Sequence, residues 1–445
     1  MIATLDKIYP GVAAIDIGAT AFWVAVADRP VEHFGTFTCD VRRVAAYLRE
    51  HGVQRVAMEA TGVYWIPLHD HLDSEGFEVT VFNGAYARNM PGRKTDVQDC
   101  QWHAMLHSHG LLSPCFIPPA DIRTMRSYYR QREGHVEAKA RCNLQMQKAL
   151  DLMNVRLHYV ISQLAGASGL RVVEAILGGE RDPKKLVLLC DEQIRKHKTE
   201  DVIASLEGTW DVHHLFALRQ ALEGYRFYER QMESCDGEID RLLQKMIEGK
   251  PPANPKGAAR TRSKARHNAP KIDKLHEKMM TLCDGQDTAA LPGISPLTMM
   301  KLVAEMGTDL SAWKSVKHFT SWLGLAPGSH SSGKMRKRVR RRKTKAGQIF
   351  KEAVMSIAGS KNPALGAFYK RVKAKKGAAV ANTATARKLA EMYYRAMTQG
   401  LEYVEQGVEK YNERCREQRL RWMQKNAIAE GYNLVPFADA AHATT

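Results

Sequence analysis

The first hundred residues alternate short apolar runs with amphipathic stretches. Residues 11–17 and 21–28 are apolar and largely β-branched, separated by Gly18-Ala19-Thr20, and predict two paired strands joined by a tight turn. A third run over 31–38 closes a meander. Residues 40–51 place Val44, Tyr47 and Leu48 at helical spacing behind Asp40 as a cap. Strands follow over 53–58, ending on Glu59, and over 77–82, with a helix over 63–75 between them. Thr95 and Gln98 are spaced as a capping box at the start of one more helix. The predicted order is β-β-β-α-β-α-β-α.

Beyond residue 123 the pattern turns helical. Residues 123–154 carry Arg126, Arg130, Arg132, Lys139, Arg141 and Lys148 among polar positions, and Gly178-Gly179 and Asp182-Pro183 mark turns within 155–189. Leu215, Leu218, Leu222, Tyr225, Tyr228, Met232, Cys235, Ile239, Leu242 and Met246 recur at steps of three and four, with one 3-3 step at Tyr225. That is a coiled-coil seam with a stammer, and it suits a second chain or an intramolecular hairpin equally. Residues 250–271, with four prolines and scattered Lys and Arg, lack core-forming side chains and predict a basic linker. In Pro292-Gly293-Ile294 the pattern resembles a helix-hairpin-helix turn, whose backbone N–H groups at a helix start receive a phosphate; a plain αα-hairpin is the alternative. Helices over 348–357, 365–375 and 384–397 close a mainly α domain, a charged helix covers 401–425, and a disordered tail follows. The expected boundaries are 1–125, 126–249 (helical and coiled-coil), 250–271 (linker), 272–425 (C-terminal domain) and 426–445 (tail).

Charge sharpens the picture. Lys and Arg number 66 against 48 Asp and Glu, a net +18 with a pI near 9.5, which favours a polyanionic partner, nucleic acid first. No apolar run approaches the ~20 residues of a spanning helix, and no signal-peptide pattern opens the chain, so a cytoplasmic, nucleoid-associated protein is expected. The eight cysteines are scattered singly, without a C-x-x-C pair, and suggest neither zinc ribbon nor disulfide framework. His103, His107 and His109 are read as a solvated or nucleic-acid-facing helix rather than a metal site.

Four acids have positions that invite chemistry. Asp16 interrupts the first apolar strand, Glu59 ends the fourth, and Asp96 and Asp99 lie three apart on one helical face. Taken singly, Asp16 suits a turn and the other two suit a helix dipole. Together they would repel one another in a dry pocket, and two Mg²⁺ ions about 4 Å apart relieve that repulsion while clamping the attacking and leaving oxygens of a phosphodiester. A meander followed by α/β crossovers is also the layout of a ribonuclease H-like sheet.

The words around these acids, Ala14-Ile-Asp-Ile-Gly-Ala-Thr20, Ala57-Met-Glu-Ala-Thr-Gly-Val-Tyr-Trp65 and Gly92-Arg-Lys-Thr-Asp-Val-Gln-Asp99, resemble the D-E-D-D tetrad of insertion-sequence transposases with a RuvC-like N-terminal domain, the bridge-RNA-guided recombinases. A weaker echo is the phosphate-binding D-x-G-x-T of sugar kinases and actin-like ATPases, but a second such loop and lobe are missing downstream. Further on, Ser331-Ser332-Gly333 directly precedes Lys334, Arg336, Lys337, Arg338, Arg340, Arg341, Arg342, Lys343 and Lys345, nine cations in twelve residues that supply phosphate contacts in cis. A serine hydroxyl needs such help to become a competent nucleophile. The position resembles the catalytic serine of the same family's C-terminal domain, which implies Ser332 as nucleophile with Ser331 as fallback.

The resemblance implies a mobile-element DNA recombinase. Its serine attacks a DNA phosphate to form a phosphoserine intermediate, assisted by Mg²⁺ at Asp16, Glu59, Asp96 and Asp99. It further implies double-stranded donor and target DNA, a structured guide (bridge) RNA, dimerisation through the coiled coil, and a tetramer in which the two sites come from different subunits. Two other classes compete: a RuvC-like, metal-dependent structure-specific endonuclease without serine chemistry, and a non-catalytic nucleic-acid-binding protein.

Overall fold

The computed structural model describes residues 7–26, 29–84, 95–253, 268–327, 330–332, 335–337, 343–359 and 365–434. The chain divides into two compact units, Met1–Ile117 and Pro118–Thr445.

In the first unit β1 (Val12–Ile17), β2 (Phe22–Val26) and β3 (Glu32–Phe34) form the antiparallel meander. β4 (Arg55–Glu59) and β5 (Glu78–Phe82) add in parallel on the other side of β1, giving the order β3-β2-β1-β4-β5. Parallel neighbours need a crossover, and α2 (Trp65–Ser74) provides it between β4 and β5; α1 (Thr38–Glu50) carries the chain from β3 to β4. The third strand is shorter than expected because α1 begins early. Asp40 is not its N-cap but its third residue, and accepts a hydrogen bond from the Phe37 N–H at 3.2 Å.

One face of this sheet packs Ile15, Val56 and Met58 against Val44 and Leu48 of α1 and Leu68 and Leu72 of α2, all fully buried. Each such side chain contributes about 1.5–3 kcal/mol. The other face is lined by Ala14, Ala25 and Ala57, small residues that let α3 (Asp96–Ser108) approach closely through Cys100 and Ala104.

Among its described residues the second unit is helical apart from one short hairpin. α4 (Ala120–Leu152) and α9 (Val212–Ile247) lie antiparallel, with Lys139 bonded to Glu229 at 2.9 Å and Arg132 paired with Asp236. Leu218, Leu222, Tyr225, Met232, Cys235 and Ile239 of the predicted seam are buried within this chain, and Leu243 replaces Leu242 in the last turn. Within this chain the seam packs on α4 and on the helices that follow it. α5 (Leu157–Val160), α6 (Ala167–Leu177), α7 (Pro183–Val187) and α8 (Glu192–Ser205) share one apolar core with the adjoining ends of α4 and α9. Asp182 caps α7, with Pro183 in its first turn.

Of the basic residues on α4, Arg130 makes a two-pronged pair with Glu305 at 2.8 and 2.9 Å, and Arg126 donates to the Ala304 and Glu305 carbonyls. Glu305 belongs to α11 (Pro296–Met306), which follows α10 (Leu275–Leu282). Arg126, Arg130, Arg132 and Lys139 therefore hold the unit together, whereas Arg141 and Lys148 are exposed. Residues 254–267 of the basic linker lie outside the described residues. Its returning end is pinned: Arg132 donates to the Asn268 carbonyl at 3.1 Å, and the Lys271 N–H donates to Asp236 at 3.0 Å.

The remainder comprises α12 (Val316–Trp322), β6 (His330–Ser332), β7 (Met335–Lys337), α13 (Lys345–Ala358), α14 (Leu365–Lys376), α15 (Ala378–Gln399) and α16 (Leu401–Ala429). Phe319 of α12, Phe350 of α13 and Tyr393 of α15 are fully buried and meet ring to ring, with Phe350 lying 5.6 Å from Tyr393 and 6.5 Å from Phe319. α16 continues through Ala429, into the stretch expected as a disordered tail, and residues 435–445 lie outside the described residues. Among the described residues no helix is long and apolar enough to cross a membrane.

The Arg132–Asp236 pair is almost wholly buried, with side chains 1% and 3% exposed. Arg132→Met strands the Asp236 charge and is expected to cost ~3–5 kcal/mol in urea unfolding, much of it recovered when Asp236→Leu is added.

Candidate active site

The register of the sheet sets the first two acids side by side. Ile15 pairs with Met58 across the parallel β1–β4 ladder, so Asp16 and Glu59, each one residue further on, stand together where both strands end. Ligand sites of open α/β sheets form at such carboxyl ends.

α3 supplies the other two. Thr95 is its N-cap, and its hydroxyl accepts the Gln98 N–H at 3.3 Å, which makes Asp96 the first helical residue and places Asp99 one turn later. Cys100, the next residue, seats the helix on the sheet. Its thiol lies 3.1 Å from the Ala14 carbonyl oxygen and 3.0 Å from that of Trp23, and burial pushes its pKa up to about 12, so it stays a neutral donor.

The electrostatics report the convergence. Asp16 is pushed up from 3.8 to about 6, first by burial, then by the charges of Asp96 and Glu59; the Ile17 N–H works in the opposite direction, and Asp99 adds a smaller push upward. The other three predicted acids thus all act on Asp16 at a half-buried strand end. As they stand, no three His, Cys, Asp or Glu side chains among the described residues lie close enough to hold an ion. The acids are gathered to electrostatic range rather than to ligand distance.

Their chemistry nevertheless fits a divalent cation. The donors are all carboxylate oxygens, the set hard ions such as Mg²⁺ or Mn²⁺ prefer, and the raised proton affinity of Asp16 marks an excess of negative charge that a cation would relieve.

Gly84, just past β5, is a site residue that spacing did not reveal. A Cβ built there would lie 1.9 Å from Oε1 of Glu59, so the missing side chain makes room for that carboxylate. The histidines of α3 fall elsewhere than expected. His103 and His107 are 4% and 5% exposed, His103 edge-on to Phe82 at 4.8 Å and His107 beside Tyr9. They are core residues, and burial lowers the pKa of His107.

In the second unit the serines lie on a hairpin that the density of charge concealed. β6 and β7 pair antiparallel, with Ser331 opposite Arg336 and Ser332 opposite Met335 at the turn end. Lys337 ends β7 opposite His330, while Lys343 and Lys345 are exposed where the chain enters α13. Lys334, Arg338, Arg340, Arg341 and Arg342 lie outside the described residues.

The base of this excursion is clasped. The Thr344 hydroxyl donates to the Leu323 carbonyl at 3.0 Å and accepts the Gly347 N–H at 3.0 Å. A Cβ on Gly347 would come within 2.1 Å of that same Leu323 oxygen, so α13 can start this close only with glycine there.

Gly293 has a positive φ of 76° and is packed against α13, where a Cβ would meet the Ala353 carbonyl at 2.7 Å and Ile357 at 2.8 Å. The adjacent helix start is already capped, because Ser295 accepts the Thr298 N–H at 3.2 Å. This packing accounts for a glycine at the position.

Two family models match the chain. One, a transposase model for the DEDD proteins of insertion sequence IS110, covers residues 13–155; the other, described as Transposase IS116/IS110/IS902 family, covers residues 288–370. The first spans all four acids and the second spans both serines and the basic run. A search of curated proteins finds no match. With the tetrad, the serines and both matched regions in one chain, the protein belongs to the IS110-type insertion-sequence transposases and is an enzyme acting on DNA.

Proposed function

We propose that this transposase cuts and rejoins DNA through Ser332, assisted by a divalent cation, Mg²⁺ in the first instance, at Asp16, Glu59, Asp96 and Asp99. The observation that carries the reading is the raised proton affinity of Asp16, caused in part by the other three acids: repulsion of this kind is maintained where a cation is to be held. Bound there, the ion would supply charge neutralisation for a phosphodiester oxygen.

The chain's own groups have distinct tasks. The Ser332 oxygen forms a bond to a DNA phosphorus, and the bond from that phosphorus to one flanking nucleoside oxygen breaks. The departing oxygen takes up a proton and leaves as a hydroxyl, while the serine proton passes to solvent or a nearby base. Attack by the hydroxyl of a second strand reverses the step and frees the serine. The cations from Lys334 to Lys345 offset phosphate charge in the region of the serine. Sequence choice by a guide RNA, and assembly into a tetramer with complementary sites on different subunits, complete the proposal and rest on the family resemblance. Backbone and shape contacts by the protein would leave base pairing to select the target.

Labelled element-end DNA, trapped after denaturation, tests the serine directly. Ser332→Ala is expected to abolish the covalent adduct and Ser331→Ala to leave it; cleavage that survives Ser332→Ala would assign the chemistry to the acids and water alone. Asp16→Ala and removal of divalent ions are each expected to abolish strand cleavage.

Asp16 binds its proton more tightly in the folded chain than in the unfolded one. Its contribution to stability is therefore present below pH 3.8 and lost as the pH rises through about 6. In metal-free protein at neutral pH, Asp16→Asn is expected to raise Tm and to flatten the pH dependence in that window. Mg²⁺ should raise the Tm of the unaltered chain more than that of the variant. Gly84→Ala, by displacing the Glu59 carboxylate, is expected to lower metal-dependent cleavage ~10–100-fold with little change in circular dichroism.

A further inference from the structure

A cavity of about 300 Å³ opens in the C-terminal part of the second unit, between the chain leaving α12 and the helices α14 and α15. Leu325, Pro327 and Val380 give it apolar walls, and Phe368 gives it an aromatic one. Its polar lining comes from α15. Arg387 donates from Nε to Glu391 at 3.0 Å, which fixes that carboxylate, and Lys388 holds its ammonium 4.9 Å from the centre of the Phe368 ring. The Thr383 hydroxyl donates to the Ala379 carbonyl at 3.1 Å and keeps its lone pairs for a donor in the cavity.

This lining selects among ligands. An anion such as free phosphate would find Arg387 already paired with Glu391, and would meet that carboxylate and the apolar walls, both unfavourable. A lipid chain or apolar peptide would bury the Arg387–Glu391 pair and the Lys388 ammonium without offering any of them a polar partner. A flat, neutral heterocycle carrying both donors and acceptors suits the whole lining: it can lie against the apolar walls and take the place of the Lys388 ammonium over the Phe368 ring, with a carboxylate and a hydroxyl for its N–H groups and cations for its ring acceptors and carbonyls. Nucleobases have that composition.

Position supports a DNA base in particular. Pro327 is five residues before Ser332, and at no more than ~3.3–3.6 Å per residue the serine lies within about 18 Å of the cavity wall. A strand whose phosphate is at Ser332 therefore has a base one to three nucleotides away within reach.

We propose that this cavity receives a DNA base drawn out of the stack beside the scissile phosphate, and so fixes where along the strand the break occurs. The proposal rests on the reading that the Ser332 hairpin engages DNA. Stacking on an aromatic side chain and hydrogen bonding of the exposed base edge repay the unstacking.

The test uses full-length Ser332→Ala protein, which cannot form a serine adduct, with a single-stranded DNA oligonucleotide about ten nucleotides long carrying one photoreactive iodouracil. The cross-link is expected to map by mass spectrometry to Phe368 or the face of α15 from Val380 to Glu391. An oligonucleotide abasic at the reactive position should compete about ten-fold less well than its thymidine counterpart. Val380→Trp, at a position 44% exposed, fills the cavity and should remove that base dependence. Phe368→Leu, which keeps apolar bulk and removes the π face, should weaken the cross-link if the larger change unfolds the unit.

Cross-links confined to other segments, equal competition by the abasic strand, or preference for an RNA oligonucleotide of the same sequence would overturn the proposal. A base-dependent cross-link at the cavity, combined with unaltered protein that forms no serine adduct, would support the pocket and overturn the serine chemistry alone.

Discussion

Like charges gathered at a half-buried strand end are the constraint on which the first unit depends. Asp16 can sit beside Glu59 only because β1 and β4 are parallel and in register, and it feels Asp96 and Asp99 only because α3 is drawn against the sheet. The draw comes from small residues. Ala14, Ala25 and Ala57 leave the space, and Cys100 fills it with a neutral thiol directed at two strand carbonyls. An ionised group at Cys100 would worsen the repulsion, and burial prevents it. The unit therefore holds a strained charge arrangement with groups that are themselves uncharged, a division of labour suited to a site whose counter-charge arrives from solution.

The second unit uses charge in the opposite manner. Arg132, Lys139 and Arg130 are each paired with a carboxylate on another helix, and Asp236 also receives the backbone where the linker returns. A strongly basic chain need not be basic everywhere on its surface. Among the described residues, the cations exposed where the serine excursion ends, at Lys343 and Lys345, and on α4 at Arg141 and Lys148, are placed where a polyanion can meet them.

Much of the first unit was legible in the sequence. Two apolar strands around Gly18, a third short run and alternating helices prescribe the sheet, and the spacing of Asp96 and Asp99 behind the Thr95 cap prescribes their shared face. What escaped depends on partners distant in sequence. Gly84 has meaning only against the side chain of Glu59, and the α3 histidines read as solvated because nothing local shows that Phe82 will lie against His103 and Tyr9 against His107. The α9 seam gave its own face correctly but not its partner, since heptad spacing describes one surface and leaves the other unnamed. At β6 and β7, two strands of three residues each were hidden by a density of Lys and Arg that argues for extended, solvated chain.

The clasp formed by Thr344, Gly347 and the Leu323 carbonyl has an evolutionary consequence. Because the neck is closed by backbone groups and one hydroxyl, the excursion between is attached to the helical framework as a cassette. Substitutions within it, away from Ser332 and the cations that meet phosphate, leave the packing of Phe319 on Phe350 undisturbed. Change that spares the serine is accordingly tolerated inside the cassette, while a change at Thr344 or Gly347 would unseat it.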